Sequence, residues 1–231
     1  MKKIAFLIHD LMGGGAEKVL VNMVNNLNPQ KYDITVLTLF DEGVHKGSLA
    51  KHIHYKSFLK KSFNGNKYLF RLFTPGFWYK KAFGTDKYDI VGSYLEGTCA
   101  RVASGCEDAK KVVWIHSRQS EEKYIECFKN KAEADEVYSS FDKVIFVAQS
   151  LKEHYVQFCR TFENAEVLYN VNETDRITAL SQEETDRNDL FEDGVPTIAF
   201  LGKITENKGV ARLAKIHMKL VQHLKLQKML H

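Results

Sequence analysis

Short apolar segments alternate with segments of helical period along most of this chain, and this alternation limits its fold more than any other feature. The apolar segments are continuous, a pattern typical of parallel strands that are buried on both faces. We therefore predict an α/β fold over residues 1–170, a Rossmann-like doubly wound parallel sheet with helices on both sides. The predicted strands are 3–8, 34–39, 52–58, 88–94, 111–115, 143–147 and 166–169.

The segments between these strands predict helices. Residues 68–83 contain Pro75-Gly76, which predicts a break or kink within a helix. A further helix is expected over 149–158. The first helix, 17–27, has an apolar face formed by Leu20, Met23, Val24 and Leu27, with Val21 at its margin.

The composition changes over residues 171–194, which are rich in charge and poor in apolar side chains, and we interpret them as a linker or an exposed helix. Pro196 then precedes the apolar run 197–201, a predicted buried strand, and a helix is expected from about Val210. A single strand and helix cannot bury two faces of a sheet. We therefore expect residues 195–231 to form an incomplete second α/β unit.

Features of export and of metal binding are missing from the sequence. The apolar start of the chain ends at His9-Asp10, before a signal peptide's apolar region would be complete, and no apolar run approaches the ~18 residues of a membrane span. We therefore expect a cytoplasmic protein. The cysteines lack C-x-x-C spacing, which indicates reduced structural thiols and no metal site. They are Cys99, Cys106, Cys127 and Cys159.

Residues 55–87 combine basic and aromatic side chains. The segment has three interpretations: contact with an anionic membrane surface, stacking on nucleobases, which the surrounding fold supports little, or ordinary core aromatics beside solvated lysines. Its single acid is Asp86. The bases are Lys56, Lys60, Lys61, Lys67, Arg71, Lys80, Lys81 and Lys87; the aromatics are Tyr55, Phe58, Phe63, Tyr68, Phe70, Phe73, Phe77, Trp78, Tyr79 and Phe83.

A run of three glycines, 13–15, lies between the first strand and the first helix. Glycines allow close approach of a ligand to the backbone, and a helix N-terminus offers free N–H groups to an anion; a simple tight turn is the alternative. A nicotinamide-binding G-x-G-x-x-G motif would need glycine at position 18, which is Lys18, although Asp41 follows the second strand where a ribose-binding acid could lie. An NAD-dependent oxidoreductase is therefore a weak alternative.

The segment Gly14-Gly15-Ala16-Glu17 after the first strand resembles glycosyltransferase family 4, the retaining enzymes of the GT-B fold. Further elements resemble that family in the same order, so that the resemblance covers nearly the whole chain. They are Ser93–Gly97, Trp114–His116, Phe141–Ser150, Val167–Asn170 and Ile198–Gly209.

The resemblance implies two Rossmann-like domains that face a cleft. Residues 1–170 would bind the acceptor, and 195–231 would be the truncated start of the domain that binds the nucleotide sugar. The implied reaction is retaining hexosyl transfer from a nucleoside-diphosphate sugar, a UDP-sugar, to a saccharide or lipid-linked acceptor in bacterial polysaccharide or cell-envelope synthesis. It implies no cofactor, no metal and no nucleic acid, and a place in the cytoplasm or on the inner face of the membrane.

The resemblance also assigns roles to particular residues. His116 would contact the donor sugar near the reacting carbon, with a structural role such as capping the next helix as the alternative. Glu96, at the end of its own strand, would bind acceptor hydroxyls or be a solvated acid, and Asn170 would be the hinge. Lys203 and Lys208 would neutralise the leaving diphosphate. The remaining substrate-binding residues would be Gly13, Gly14, Gly15 and Glu17.

Some family features are altered in this chain. The family's N-G-V-D element reads Asn170-Val171-Asn172-Glu173, and Lys203 replaces an arginine and loses its bidentate fork. The family's E-x7-E segment, which holds the donor sugar and ribose and should lie well beyond His231, is absent. We therefore expect little or no transferase activity from these 231 residues. A non-catalytic module that binds acceptor or membrane is the main alternative.

Overall fold

The computed structural model describes residues 1–157, 164–184 and 197–229. Its strands are β1 Lys2–Ile8, β2 Tyr32–Phe40, β3 His54–Leu59, β4 Ile90–Ser93, β5 Lys110–Ile115, β6 Lys143–Phe146 and β7 Ala165–Val167. They form a seven-stranded sheet in the order β3-β2-β1-β4-β5-β6-β7, and every pair of neighbours is parallel. The predicted parallel α/β sheet is confirmed.

The helices lie between the strands and after them. They are α1 Gly15–Asn26, α2 Asn66–Arg71, α3 Pro75–Phe83, α4 Thr98–Ser104, α5 Glu121–Ile125, α6 Lys131–Ser139, α7 Gln149–Val156, α8 Thr174–Leu180 and α9 Val210–Met229. Short 3-10 helices occupy Val44–Ser48 and Glu206–Lys208.

Strand β1 shows why the sheet is covered on both sides. Ile4, Phe6 and Ile8 pack in one core cluster with the buried residues of α1, whereas Ala5 and Leu7 pack in the other with those of α4. Successive side chains of a strand point to opposite faces, so a continuous apolar run is what two covered faces require. The doubly wound arrangement follows from this pattern.

The helix predicted over 68–83 is two helices. Pro75 begins α3, where its missing N–H costs no hydrogen bond, and the Thr74 side chain caps the helix by accepting from the Phe77 N–H at 3.3 Å. In α1 the burial differs from the predicted face, because Val21 is fully buried while Met23 is only partly buried.

The strand predicted over 197–201 is wrong. Residues 197–200 form no regular structure, Ile198 is 62% exposed and Leu201 is fully exposed. A β-segment needs neighbouring strands to pair its backbone groups, and the described residues after Arg176 contain no other strand. Phe158, Cys159, Pro196 and residues 185–194 of the predicted linker lie outside the described residues.

The chain divides into two compact units, Met1–Arg176 and Ile177–His231. The first contains the whole sheet. The described part of the second consists of the end of α8, the 3-10 helix and α9, with Gly209 in the left-handed conformation before α9 begins (φ 75°).

Candidate functional site

The strand order reverses between β1 and β4, since the chain runs outward from β1 to β3 and then returns to start again at β4. In open α/β sheets a crevice forms at the carboxyl ends of the strands at such a switch point, and ligands bind there. Three loops of the first unit leave this edge: one after β1, one after β4 and one after β5. They contain all but four of the predicted site residues, the four outside being Glu17, Asn170, Lys203 and Lys208.

The loop after β1, residues 9–15, is the glycine loop. Asp10 shapes its start, because one carboxylate oxygen accepts the Met12 N–H at 2.8 Å and the other contacts the His9 imidazole at 2.7 Å. The Leu11 N–H donates to the Glu42 carbonyl at 2.9 Å, which ties the loop to the segment after β2. Asp10 is not among the predicted site residues, although an aspartate two residues before a turn amide is a common turn signal.

At two of the three glycine positions, neither the backbone conformation nor the surrounding atoms require a residue without a side chain. Gly13, Gly14 and Gly15 all lack a positive φ. A Cβ added at Gly13 or Gly15 would meet no heavy atom within 4 Å. Glycine costs conformational entropy on folding, so open space beside these two glycines favours the interpretation that their backbone is left accessible to a ligand over that of a tight turn.

Glu17 lies in the first turn of α1, three residues after the N-cap residue Gly14. Its carboxylate covers Gly14, since a Cβ added there would lie 1.9 Å from Glu17 Oε2. An acid at this position stabilises the helix N-terminus. A phosphate that approached the helix from this side would therefore meet the Glu17 carboxylate.

Lys18, the residue that argues against the dinucleotide motif, forms an ion pair with Glu173 at 3.3 Å. Burial works to raise the pKa of Glu173, but the hydrogen bond and charge of Lys18, with those of Arg176, lower it overall. The contact joins the start of α1 to the segment after Asn170. Asn170 itself is exposed and follows β7 without regular structure, and its role as a hinge stays a prediction.

Glu96, after β4, holds the loop that follows β5, residues 116–119, which we call the histidine loop. Its carboxylate accepts the His116 backbone N–H at 3.0 Å, the Gln119 side-chain amide at 3.4 Å and the Ser117 hydroxyl. Gly97 positions this acid by adopting a positive φ of 74° and donating its N–H to the Tyr138 hydroxyl at 3.0 Å. Glu96 thus connects the loops that follow the carboxyl ends of the neighbouring strands β4 and β5.

The His116 imidazole lies against Tyr94, with ring centroids 4.8 Å apart, and is hydrogen-bonded to the Tyr94 backbone. Burial lowers the pKa of His116, although the nearby Glu96 charge works to raise it. Its Nε2 is buried and has no hydrogen-bond partner within the described residues. A buried polar atom without a partner costs free energy, so a hydroxyl donating to this nitrogen would be bound favourably.

We predict that His116 remains neutral to a lower pH than an ordinary histidine. Since its folded pKa is below the value of 6.5, its contribution to stability is fully present above that pH and is lost as the pH falls through the folded pKa. An NMR titration of the His116 Cε1–H, assigned with His116→Gln, should show a midpoint below 6.5, and His116→Gln should weaken the acid dependence of unfolding. A midpoint at or above 6.5 would contradict this.

Lys203 and Lys208 belong to the second unit, and both are exposed. Lys203 lies before the short 3-10 helix, and Lys208 is the last residue of that helix.

Asp41, the residue weighed as a ribose-binding acid, already has partners within the first unit: its carboxylate accepts from Lys46 at 2.6 Å and from the Tyr55 hydroxyl at 2.8 Å. The hydrogen bonds of Lys46 and Tyr55 lower the pKa of Asp41. This arrangement does not favour a dinucleotide site.

Other chemistries find little support in the part of the chain that the structure describes. No group of three or more His, Cys, Asp or Glu side chains there could hold a metal ion. Cys99, Cys106 and Cys127 are free thiols. Over the same residues, no helix combines the length and the apolarity that crossing a bilayer requires.

Several solved structures share the fold of this chain. HepE from Anabaena, solved with UDP and glucose, matches with a TM-score of 0.54 and 20% identity over 79% of this chain and 50% of its own. The N-terminal domain of Candida albicans trehalose-6-phosphate phosphatase matches with a TM-score of 0.52 and 12% identity, over 84% of this chain and 52% of that domain's chain. The trehalose-6-phosphate structure from E. coli, bound with UDP-2-fluoro glucose, matches with a TM-score of 0.51 and 9% identity, over 79% of this chain and 52% of its own.

At these identities the likeness shows the fold alone, and this chain spans about half the length of each solved structure (50–52%). A comparison with curated protein sequences gives no match. The family model of glycosyltransferase family 4 matches residues 13–186, which include the glycine loop from Gly13, Glu96 and His116. That span is well over half of the 231 residues. The chain therefore belongs to glycosyltransferase family 4.

Proposed function

We propose that this chain is the acceptor-side half of a glycosyltransferase that moves a hexosyl group from a UDP-sugar to a saccharide. The proposed transfer retains the anomeric configuration, uses a lipid-linked acceptor on the cytoplasmic side of a bacterial membrane, and serves polysaccharide or cell-envelope synthesis without a metal or cofactor. Family membership supports a glycosyltransferase. HepE, which shares the fold, was solved with UDP and glucose, which supports a UDP-sugar.

One observation carries the proposal: the open glycine backbone at Gly13 and Gly15 and the unpartnered His116 Nε2 lie on loops from the same sheet edge, at the switch point. The N–H groups of Gly13 and Gly15 would bind oxygens of the substrate, whereas that of Gly14 already donates to the Met12 carbonyl at 2.7 Å. His116, kept neutral by burial, would accept a hydrogen bond from a sugar hydroxyl. Glu96 would orient the imidazole by fixing the His116 backbone.

Lys203 and Lys208 are proposed to offset the charge of the leaving diphosphate. The described residues of the second unit contain no strand, so we expect the donor-binding wall not to form in these residues by themselves. Transfer of sugar by the 231-residue polypeptide alone is therefore expected to be little or none, whereas weak contact of a sugar nucleotide with the first unit should be measurable.

The proposal is tested by replacing Gly13 with alanine. Since a Cβ at Gly13 meets nothing within 4 Å, Gly13→Ala should leave the protein as stable as before or stabilise it by about 0.5 kcal/mol. It should nevertheless weaken binding of UDP-glucose by roughly tenfold, about 1.4 kcal/mol, because the methyl group fills the space left for the ligand. Binding is followed by NMR shifts of the residue 13–15 amides and of the His116 Cε1–H at millimolar UDP-glucose.

Gly47→Ala is the matched control, because Gly47 also has open space around it but lies in the 3-10 helix after β2. It should change stability by at most about 0.5 kcal/mol and should leave binding unchanged. Equal binding by wild type and Gly13→Ala would contradict the proposal. Shifts with NAD but not with UDP-glucose would favour the oxidoreductase alternative, and shifts with neither ligand would favour a non-catalytic module.

A further inference from the structure

The aromatic and basic segment identified in the sequence divides into a buried part and an exposed part. Phe70, Trp78, Tyr79 and Phe83 are buried in the core. Phe63, before α2, is 47% exposed, and four further exposed side chains form what we call the α2–α3 corner, where the chain turns from one helix into the next. Its members are Tyr68, Leu72, Phe73 and Phe77, which are 56%, 68%, 48% and 36% exposed.

The corner consists of two pairs of side chains that meet at the consecutive residues Leu72 and Phe73. Tyr68 and Leu72 are four residues apart at the end of α2, so they lie on the same side of the helix. Phe73 and Phe77 are stacked, with ring centroids 4.4 Å apart, and both contact the buried Trp78 ring, at 5.8 and 5.1 Å. The corner therefore rests on the core.

The backbone beneath the corner is fixed by Arg101 of α4. This guanidinium is fully buried and donates to the carbonyls of Phe70 and Phe73, the latter at 2.9 Å. Its charge is balanced by Glu133 at 2.6 Å. The apolar side chains are thus presented to solvent from an ordered backbone.

The charged side chains of the segment that forms the corner are all basic, although Glu126, from elsewhere in the fold, pairs with Lys67 of this segment. Residues 60–84 contain no acid. Lys81 lies 5.8 Å from the Phe77 ring centroid and Arg71 lies 5.7 Å from that of Tyr68, so cations flank the exposed rings directly. Within the described part of the chain, five bases of this segment have no ion-pair partner: Lys60, Lys61, Arg71, Lys80 and Lys81.

We propose that the α2–α3 corner docks on a membrane surface rich in anionic lipid. Exposed aromatic and leucine side chains enter the headgroup boundary, while nearby lysines are attracted by the lipid charge. A protein partner is less favoured, because lysines are depleted in protein interfaces. Nucleic acid is less favoured as well, since Phe73 and Phe77 stack on each other and leave fewer free ring faces for bases.

Co-sedimentation of the 231-residue chain with vesicles tests the proposal without any sugar nucleotide, so its result is independent of the proposed transferase function. We expect binding to equimolar phosphatidylcholine and phosphatidylglycerol, weak binding to phosphatidylcholine alone, and release as salt rises to about 0.5 M. Leu72→Ser with Phe73→Ser should lower the partition coefficient at least about tenfold. Val44→Ser, at an exposed apolar residue elsewhere, should not.

A second pair of variants guards against misfolding. Lys80→Gln with Lys81→Gln alters only exposed side chains and should reduce binding by about 25-fold, or about fivefold for each charge. The matched control, Lys110→Gln with Lys129→Gln, removes two exposed charges outside the corner and should have much less effect. Equal loss in both pairs would overturn the proposal, as would binding to neither vesicle or retention of oligonucleotide in place of vesicles.

Discussion

Arg101→Ala should lower the free energy of unfolding by about 3–5 kcal/mol, the loss expected when one member of a buried ion pair is removed. The Arg101 side chain is completely buried and Glu133 is 15% exposed, so solvent screens the pair weakly. Removal of the guanidinium would leave the Glu133 carboxylate and the carbonyls of Phe70 and Phe73 without this donor. Urea denaturation followed by circular dichroism measures the loss.

The pH dependence of this loss identifies its cause. Burial works to raise the pKa of Glu133, but the hydrogen bond from Arg101 brings it below its usual value of 4.5. The stability from the pair is therefore present above that pH and is lost as the pH falls through the folded pKa of Glu133. We expect the difference between wild type and Arg101→Ala to shrink in acid. A difference that stays constant would indicate lost packing alone.

Two comparisons complete the test. Lys87→Ala removes an exposed pair with Asp108, at 3.7 Å with side chains 85% and 55% exposed, and should cost at most about 0.5 kcal/mol. Arg101→Met with Glu133→Leu should recover part of the loss, since no charge is then left unpaired. It should not recover all of it, because the carbonyls of Phe70 and Phe73 still lack their donor.

The order of elements in the first unit follows from local pattern. Each buried strand has a continuous apolar run, and the first helix has its own period, so strand and helix can be placed from the residues themselves. The run 197–201 shows the limit of this reasoning. It has the same apolar character as β5 or β6, but a strand also depends on neighbouring strands for its hydrogen bonds, and the described residues after Arg176 contain none.

The site could be predicted in part for the same reason. The glycines of residues 13–15 and His116 stand out because they follow apolar runs, and parallel strands bring such positions to one edge. The contacts that hold them are between distant residues: Glu96 binds a loop 20 residues later, and Gly97 binds Tyr138. No local pattern reveals such partners. The role of Glu96 in acceptor binding stays a prediction beside its observed hold on the histidine loop.

The burial of the aromatic side chains in residues 55–87 also depends on distant residues. The sequence left open whether its aromatics are core or surface, and the structure contains both kinds. Phe70 and Trp78 are buried, whereas Leu72 and Phe73 point outward at the turn between α2 and α3. Arg101 holds the backbone between α2 and α3 by donating to the carbonyls of Phe70 and Phe73. Composition does not reveal a buried arginine that lies some 30 residues downstream.

Gly43→Ala should destabilise the protein by about 3 kcal/mol and displace the glycine loop, although Gly43 is not among the predicted site residues. Gly43 has a positive φ of 126°, which an L side chain adopts only with strain. A Cβ there would lie 1.9 Å from the Leu11 carbonyl carbon and 2.4 Å from the Met12 nitrogen. These are backbone atoms, so the loop itself would have to move.

The movement would break two hydrogen bonds that fasten the loop to the segment after β2. The Leu11 N–H donates to the Glu42 carbonyl at 2.9 Å, and the His45 N–H donates to the Leu11 carbonyl at 3.1 Å. Each such bond contributes about 1 kcal/mol, which adds to the backbone strain. We therefore expect large amide shifts over residues 12–15 in Gly43→Ala, together with weaker binding of UDP-glucose.

Gly47→Ala again provides the matched control, because it adds the same methyl group four residues away, without a positive φ and with no atom within 4 Å. It should change stability by at most about 0.5 kcal/mol. Gly13→Ala and Gly43→Ala then separate two causes of lost binding: the first fills the space beside an intact loop, and the second displaces the loop. If Gly43→Ala were as stable as Gly47→Ala and left the 12–15 amides unshifted, the conformation of the glycine loop would not depend on its contact with Gly43 and the segment after β2.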